Sequence, residues 1–286
     1  MGDPSRGRPP KPGSWFALSA ASRRVLLRRP RYHRAVDSPS VDLVRCWGRA
    51  DDGAVVEVAV HPSVADALVE RWPPVGLVRC DRPIGPVAHR VTVSAAEVGG
   101  GPRPGRDRVE SDLALFSAER LTGFIAVHAA VIVRGSKALV VPGASGVGKS
   151  TLCVAAAAAG AQILTDEYAL VDPARGLVTG WRRPVRVRQP GGRVDRLDLA
   201  TESEPVPVGL IAFVAHAKGS EPSWTPITRA EAVLGLLANT VCARSRPDEA
   251  LDAALAIARS ARAVAGPRGE AADAVVELLA LLHDGP

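Results

Sequence analysis

The sequence predicts an α/β fold with a mixed sheet, carried by a larger C-terminal domain behind a smaller α/β module. Three observations lead there. Short β-type apolar runs alternate with stretches of helical spacing along most of the chain. The segment Gly99-Gly100-Gly101-Pro102-Arg103-Pro104-Gly105 divides those runs into two groups. With 286 residues, 47% of them hydrophobic, the chain can also bury a substantial core.

Residues 1–36 are rich in Pro, Gly, Ser and Arg and read as a flexible basic tail, in which Trp15 to Leu27 could form a short helix. Residues 37–98 form the small module, with strands expected at Val41 to Trp47, Ala54 to His61, Gly76 to Cys80 and Ala88 to Ser94, and a helix from Ser63 to Trp72. Nothing in it looks catalytic. Residues 99–106 read as a linker, because Gly and Pro at this density sustain neither a helix nor a central strand.

The larger domain spans 107–286. A helix from about Val109 to Leu121 leads into strand Ile125 to Val133, a turn at Arg134-Gly135-Ser136-Lys137, and strand Ala138 to Val141. After a glycine-rich loop, Thr151 to Ala159 reads as an alanine-rich helix stopped by Gly160. One strand is expected from Gln162 to Val171, then strands at Leu177 to Trp181, Pro184 to Arg188 and Gly209 to His216. From Thr228 onward the pattern is helical in three pieces: Ala230 to Val241, Pro247 to Ala263 and Glu270 to Leu282.

Composition narrows the function classes. Cys46, Cys80, Cys153 and Cys242 lie far apart with no Cys-x-x-Cys pair, which suggests neither a disulfide framework nor a zinc site and fits a reducing, cytoplasmic setting. The long apolar stretch from Phe124 to Val141 is broken by His128, Arg134 and Lys137, so no membrane partner is expected. The net charge of +6 comes from scattered basic residues, which argues against nucleic acid. A homo-oligomer is compatible with the sequence.

The chemistry concentrates at Gly143-Ala144-Ser145-Gly146-Val147-Gly148-Lys149-Ser150, followed by Thr151. Gly-x₄-Gly-Lys-Ser is the Walker A pattern. Its glycines let the backbone fold into a nest of inward N–H groups, and the following helix adds its positive N-terminal end. Lys149 then supplies a point charge to the β- and γ-phosphates, and the Ser150 hydroxyl is the expected Mg²⁺ ligand. ATP and Mg²⁺ are thus the cofactors expected.

Two further features flank this loop. If Arg134 to Lys137 close a hairpin, paired positions sum to about 271, which sets His128 beside Gly143 at the loop entrance. Asp166 and Glu167 interrupt an apolar strand, where a carboxylate is costly unless paired or bound to metal. Alternation points the two to opposite faces unless the strand ends or bulges there, and Asp166 is the one expected to face the triphosphate. Of Arg182, Arg183, Arg186 and Arg188, any could dock phosphate or an acidic peptide or simply form a solvated strand face; Arg244 and Arg246 could reach the site from further along.

These residues resemble the catalytic domain of HPr kinase/phosphorylase and its relatives, whose fold is akin to phosphoenolpyruvate carboxykinase. The matching positions are His128, Gly143 to Ser150, Gly160, Asp166 and Glu167, and the likeness covers about Val109 to Val171. It implies a P-loop kinase domain of that type, with Asp166 as the general base toward an acceptor serine, His128 near the γ-phosphate, and Glu167 helping to hold metal beside Ser150 and Asp166. Glu167 stands where HPr kinases usually carry a second aspartate, and Gly191-Gly192-Arg193 only partly echoes their downstream Gly-Arg-Asn signature.

The form Leu164-Thr165-Asp166-Glu167, the stretch Trp181-Arg182-Arg183-Pro184 and the helical segment at Ala230 to Val241 are closer to HPr-kinase-like proteins of ribosomal-peptide biosynthesis, some of which phosphorylate a serine of a lasso-peptide precursor. The resemblance therefore implies an ATP-dependent serine kinase acting on a peptide or protein. A small-molecule kinase or carboxykinase-like enzyme, or a non-catalytic nucleotide-dependent binding module, are the alternatives on the same scaffold.

Overall fold

The computed structural model describes residues 43–69, 77–83, 85–94, 102–189 and 194–283. The expected tail, the Gly99-Gly100-Gly101 run and Gly191-Gly192-Arg193 lie outside them. The described chain is mixed α/β, and no helix in it is long and apolar enough to cross a membrane.

The first sheet is built from β1 (Val44–Ala50), β2 (Val55–Val60), β3 (Leu77–Cys80) and β4 (Val87–Val93) in the order β3-β1-β2-β4, with β2 and β4 parallel and the other pairs antiparallel. Helices α1 (Pro62–Val69) and α2 (Pro102–Ala118) accompany it: Val56, Val58 and Val60 of β2 join Val64 of α1 and Val109, Leu113 and Phe116 of α2 in one core. β2 is buried along its whole length, so Glu57 within it needs partners. Arg45 and Arg90, from the strands on either side, pair with its carboxylate.

Helix α2 corrects the expected linker at 99–106. The helix begins at Pro102, and Pro102 and Pro104 fall in its first turn, where the missing N–H groups have no helical partner to lose. Its small residues Ala114 and Ala118 also pack with Ala126, Tyr168, Leu170 and Trp181, so α2 contributes to a second core beyond the first sheet.

The large sheet centres on β5 (Ile125–Arg134) and β6 (Lys137–Pro142), an antiparallel hairpin in which Ala129 pairs with Pro142 and Val131 with Val140. The register expected from the four-residue turn is the one found. Around them lie β7 (Gln162–Thr165), β8 (Tyr168–Asp172), β9 (Leu177–Gly180), β12 (Val206–His216), β13 (Thr225–Pro226) and β14 (Arg262–Arg268); β10 (Val185–Arg188) and β11 (Val194–Leu197) form a separate hairpin. The strand order is β13-β14-β12-β6-β5-β8-β9, with β7 also on β5. β12 is parallel to both β6 and β14, and its first residues pair with β9, closing a ring of five strands.

The apolar run of β5 from Ala129 to Val133 follows from burial on both faces. Ala129, Val131 and Val133 pack toward α4 (Arg229–Leu237) and α5 (Pro247–Ala258); Ala130 and Ile132 pack toward α3 (Lys149–Ala158) and α6 (Ala271–His283). Strand alternation splits one segment between two cores.

Two expectations in this domain are overturned. The single strand from Gln162 to Val171 is two strands, separated at Asp166 and Glu167, with a register shift along β5. The helical stretch to Ala263 ends at Ala258, and β14 stands between α5 and α6 as a neighbour of β12. Its Gly and Pro disfavour regular strands, and its pairing outweighs that.

Candidate functional site

The glycine-rich loop joins β6 to α3. Gly146 and Gly148 have φ of 97° and 94°, a conformation that L side chains rarely adopt, so glycine at both positions permits the turn. The N–H of Gly143 donates to the carbonyl of His128 at 3.1 Å, which puts His128 at the loop entrance as the hairpin register required.

A cleft of about 450 Å³ opens over the loop. It is lined by Ser145, Gly146, Gly148, Lys149, Ser150 and Thr151 of the loop and the start of α3, by His128, Asp166 and Glu167, and by Arg183, Arg186 and Arg188. Gly143, Ala144 and Val147 do not line it. The first two present carbonyls to Lys149, and Val147 packs into the core beneath α3.

Lys149 is 6% exposed, and its Nζ donates to the carbonyls of Gly143 at 2.7 Å and Ala144 at 3.1 Å. Burial lowers its pKa to about 8, with Glu167 and Asp166 acting in the opposite direction. The ammonium thus rests on the loop's own oxygens, which phosphate oxygens could replace.

The break between β7 and β8 brings both carboxylates to the cleft. Thr165 Oγ1 accepts from the N–H groups of Glu167 at 3.1 Å and Tyr168 at 3.3 Å, forming a side-chain turn that lets the chain change face between the strands. Asp166 is 3% exposed; its Oδ2 accepts from Ser150 Oγ at 2.6 Å and from the backbone N–H of Arg186 at 3.3 Å. Its Oδ1 has no hydrogen-bond partner and lies 3.6 Å from Arg183 Nε. Arg183 also pairs with Glu167, so one guanidinium spans both acids.

His128 stays neutral here. Burial first, then the charges of Lys149 and Arg183, depress its pKa to about 3. Its ring lies 5.8 Å from that of Tyr168, which in turn meets Trp181 edge-on at 5.7 Å. His128 can therefore offer a neutral hydrogen bond in the cleft, and no positive charge.

Hard oxygen donors suit Mg²⁺, which takes one or two protein ligands and keeps its remaining positions for water and phosphate. Ser150 Oγ and Asp166 could supply such a pair, and Oδ1 of this buried carboxylate accepts no hydrogen bond, its charged neighbour being Arg183 at 3.6 Å. No group of three or more His, Cys, Asp or Glu able to hold a metal occurs among the described residues. Glu167 is engaged by Arg183 in this state.

Of the other arginines read from sequence, Arg182 pairs with Glu202 and Arg246 donates to the carbonyl of Leu121 at 2.8 Å; neither these nor Arg244 lines the cleft. Sequence reasoning missed Asp107 and Ser111 of α2 and Val187 and Val194 of the β10–β11 hairpin, which line the cleft, and Arg268 at the end of β14, which lies against the loop. No local motif marks them, since the fold alone brings them there. No protein-family model matches this chain, and no curated protein matches it in sequence.

Proposed function

We propose that the chain is a P-loop kinase of the HPr kinase-like type, which uses ATP with Mg²⁺ and transfers the γ-phosphate to a serine hydroxyl of a peptide or protein, a lasso-peptide precursor being one candidate. One observation carries the reading: Lys149 and Ser150 of the glycine-rich loop and Asp166, 16 residues beyond Ser150, line one cleft with Ser150 Oγ 2.6 Å from Asp166 Oδ2. The cytoplasm, where ATP and new peptides meet, is the proposed location.

On this reading the backbone of Gly146 and Gly148 cradles phosphate oxygens, and Lys149 leaves the carbonyls of Gly143 and Ala144 for the β- and γ-phosphates. Ser150 and Asp166, with Glu167 if Arg183 releases it, would hold Mg²⁺, which neutralises phosphate charge when bound. Asp166 takes the proton of the serine hydroxyl as its oxygen bonds to the γ-phosphorus. The bond from that phosphorus to the β–γ bridging oxygen breaks, and ADP leaves with the electron pair. Arg183 can then follow the charge that moves onto the transferred group. Neutral His128 contributes a hydrogen bond.

Intact-mass analysis of candidate acceptors, HPr and peptides encoded beside the gene, after incubation with protein, ATP and Mg²⁺ tests the reading, with Lys149→Ala as control. A phosphate on serine from the wild type alone supports it. Nucleotide binding without transfer to any acceptor would favour the small-molecule kinase or the binding module.

A further inference from the structure

We infer that Arg268 is a positioning residue of the glycine-rich loop, holding the Val147–Gly148 peptide so that the Gly148 N–H faces the anion. The inference rests on reading Gly143 to Ser150 as a phosphate cradle. Arg268 is 5% exposed, and its Nε donates to the carbonyl of Val147 at 3.4 Å. It does not line the cleft, whereas Gly148 does. The loop peptide is therefore bounded by the cleft on one side and by this guanidinium on the other.

A trans peptide points its carbonyl and the following N–H in opposite directions. Drawing the Val147 carbonyl back toward Arg268 consequently turns the Gly148 N–H forward, into the nest. A flip of that single peptide would present an oxygen to the phosphate instead of a donor, replacing attraction with repulsion. Gly148 allows the contact in a second way: a Cβ there would stand 2.0 Å from Arg268 Nη2, so the guanidinium occupies the space that any side chain would need. Its buried positive charge also adds to the field of the loop from behind.

The end of β14 is built to keep Arg268 there. The N–H of Ala217 donates to the Arg268 carbonyl at 3.0 Å, and that of Ser223 to the Pro267 carbonyl at 3.1 Å. A Cβ on Gly266 would come within 1.7 Å of the Ser223 carbonyl oxygen, and one on Gly269 within 1.9 Å of that of Ser220. Glycine on each side of Arg268 thus lets the chain from Ser220 to Ser223 lie directly against the strand end, and β12 fixes its other edge with Arg268 opposite His216.

The test follows the Gly148 amide resonance in protein labelled with ¹⁵N-glycine while ADP and Mg²⁺ are added. In the wild type this proton should move downfield as it meets phosphate. In Arg268→Met the movement should be lost and the dissociation constant should rise about tenfold or more, while Arg268→Lys, which retains charge and a donor, should recover part of both. A folded Arg268→Met that binds ADP with wild-type affinity and moves the Gly148 proton equally would overturn the inference. If Arg268→Met fails to fold, Arg268→Lys decides: reduced affinity with a smaller displacement supports the role, and wild-type behaviour in both removes it. Wild-type protein that binds no ADP would instead overturn the cradle reading itself.

Discussion

The guanidinium of Arg186 is ion-paired with Glu110 of α2, 76 residues earlier, while its backbone N–H donates to Asp166 Oδ2. Arg196 of β11 joins the same carboxylate and Asp107 as well. An acidic face of α2 thereby holds the β10–β11 hairpin over the cleft, and the opposite, apolar face of that helix belongs to the first sheet.

Replacing Glu110 with Ala should strip Arg186 and Arg196 of a shared partner in a largely buried setting. The expected loss is roughly 1–3 kcal/mol of stability, read from urea unfolding, with slower turnover because Arg186 no longer steadies Asp166. Unchanged stability and unchanged turnover together would mean that the cluster is solvated and idle.

Lys149 predicts a proton uptake on binding. Its pKa is about 8 in the free protein, lowered by burial, and bound phosphates would favour the ammonium and raise it. Between the free and bound values, binding must then take up a proton, so affinity is full below about pH 8 and falls above it. Calorimetry at about pH 9 in two buffers of different ionisation enthalpy should detect the uptake, and Lys149→Arg should abolish it. Equal apparent enthalpies in both buffers for the wild type would exclude this.

The opposite end of the pH scale tests His128. Burial, Lys149 and Arg183 hold it at about 3 in the folded chain, against roughly 6.5 when unfolded. The unfolded state binds the proton first on acidification. There is no cost above about 6.5, and a growing loss of stability from there down toward 3. His128→Gln should flatten the decline between pH 6.5 and 4.5; parallel denaturation curves for the two proteins would count against a buried neutral imidazole.

Asp166→Asn keeps shape but removes the base and a charge. If Asp166 accepts the serine proton, ATP affinity should stay within a few-fold of wild type while turnover falls roughly 10²-fold or more. Turnover that survives would take the residue out of that role, whatever its part in holding metal.

The reach of the sequence was set by how local each signal is. The β5–β6 hairpin, its register and the loop it feeds were legible because a continuous apolar pattern, a four-residue turn and the glycine spacing lie within about 30 residues. The Asp166-Glu167 break was half legible: two carboxylates in an apolar run announce a site, but only the Thr165 turn shows how both reach it. β14 was hidden by its own Gly266 and Pro267, since its strand character comes from pairing with β12 and β13. The Pro-rich start of α2 misled in the same way, with residues that break a helix interior placed where a helix tolerates them.

The distance along the chain between Arg268 and the loop it supports has a consequence for synthesis. Arg268 follows Val147 by 121 residues, so at about 5–20 residues per second a ribosome completes the glycine-rich motif on the order of ten seconds before it releases the arginine that steadies it. Throughout that interval the nascent chain carries the whole motif without β14, and on the proposed reading nucleotide would find a firm seat only once translation has passed residue 268 and the sheet has taken in its late strand.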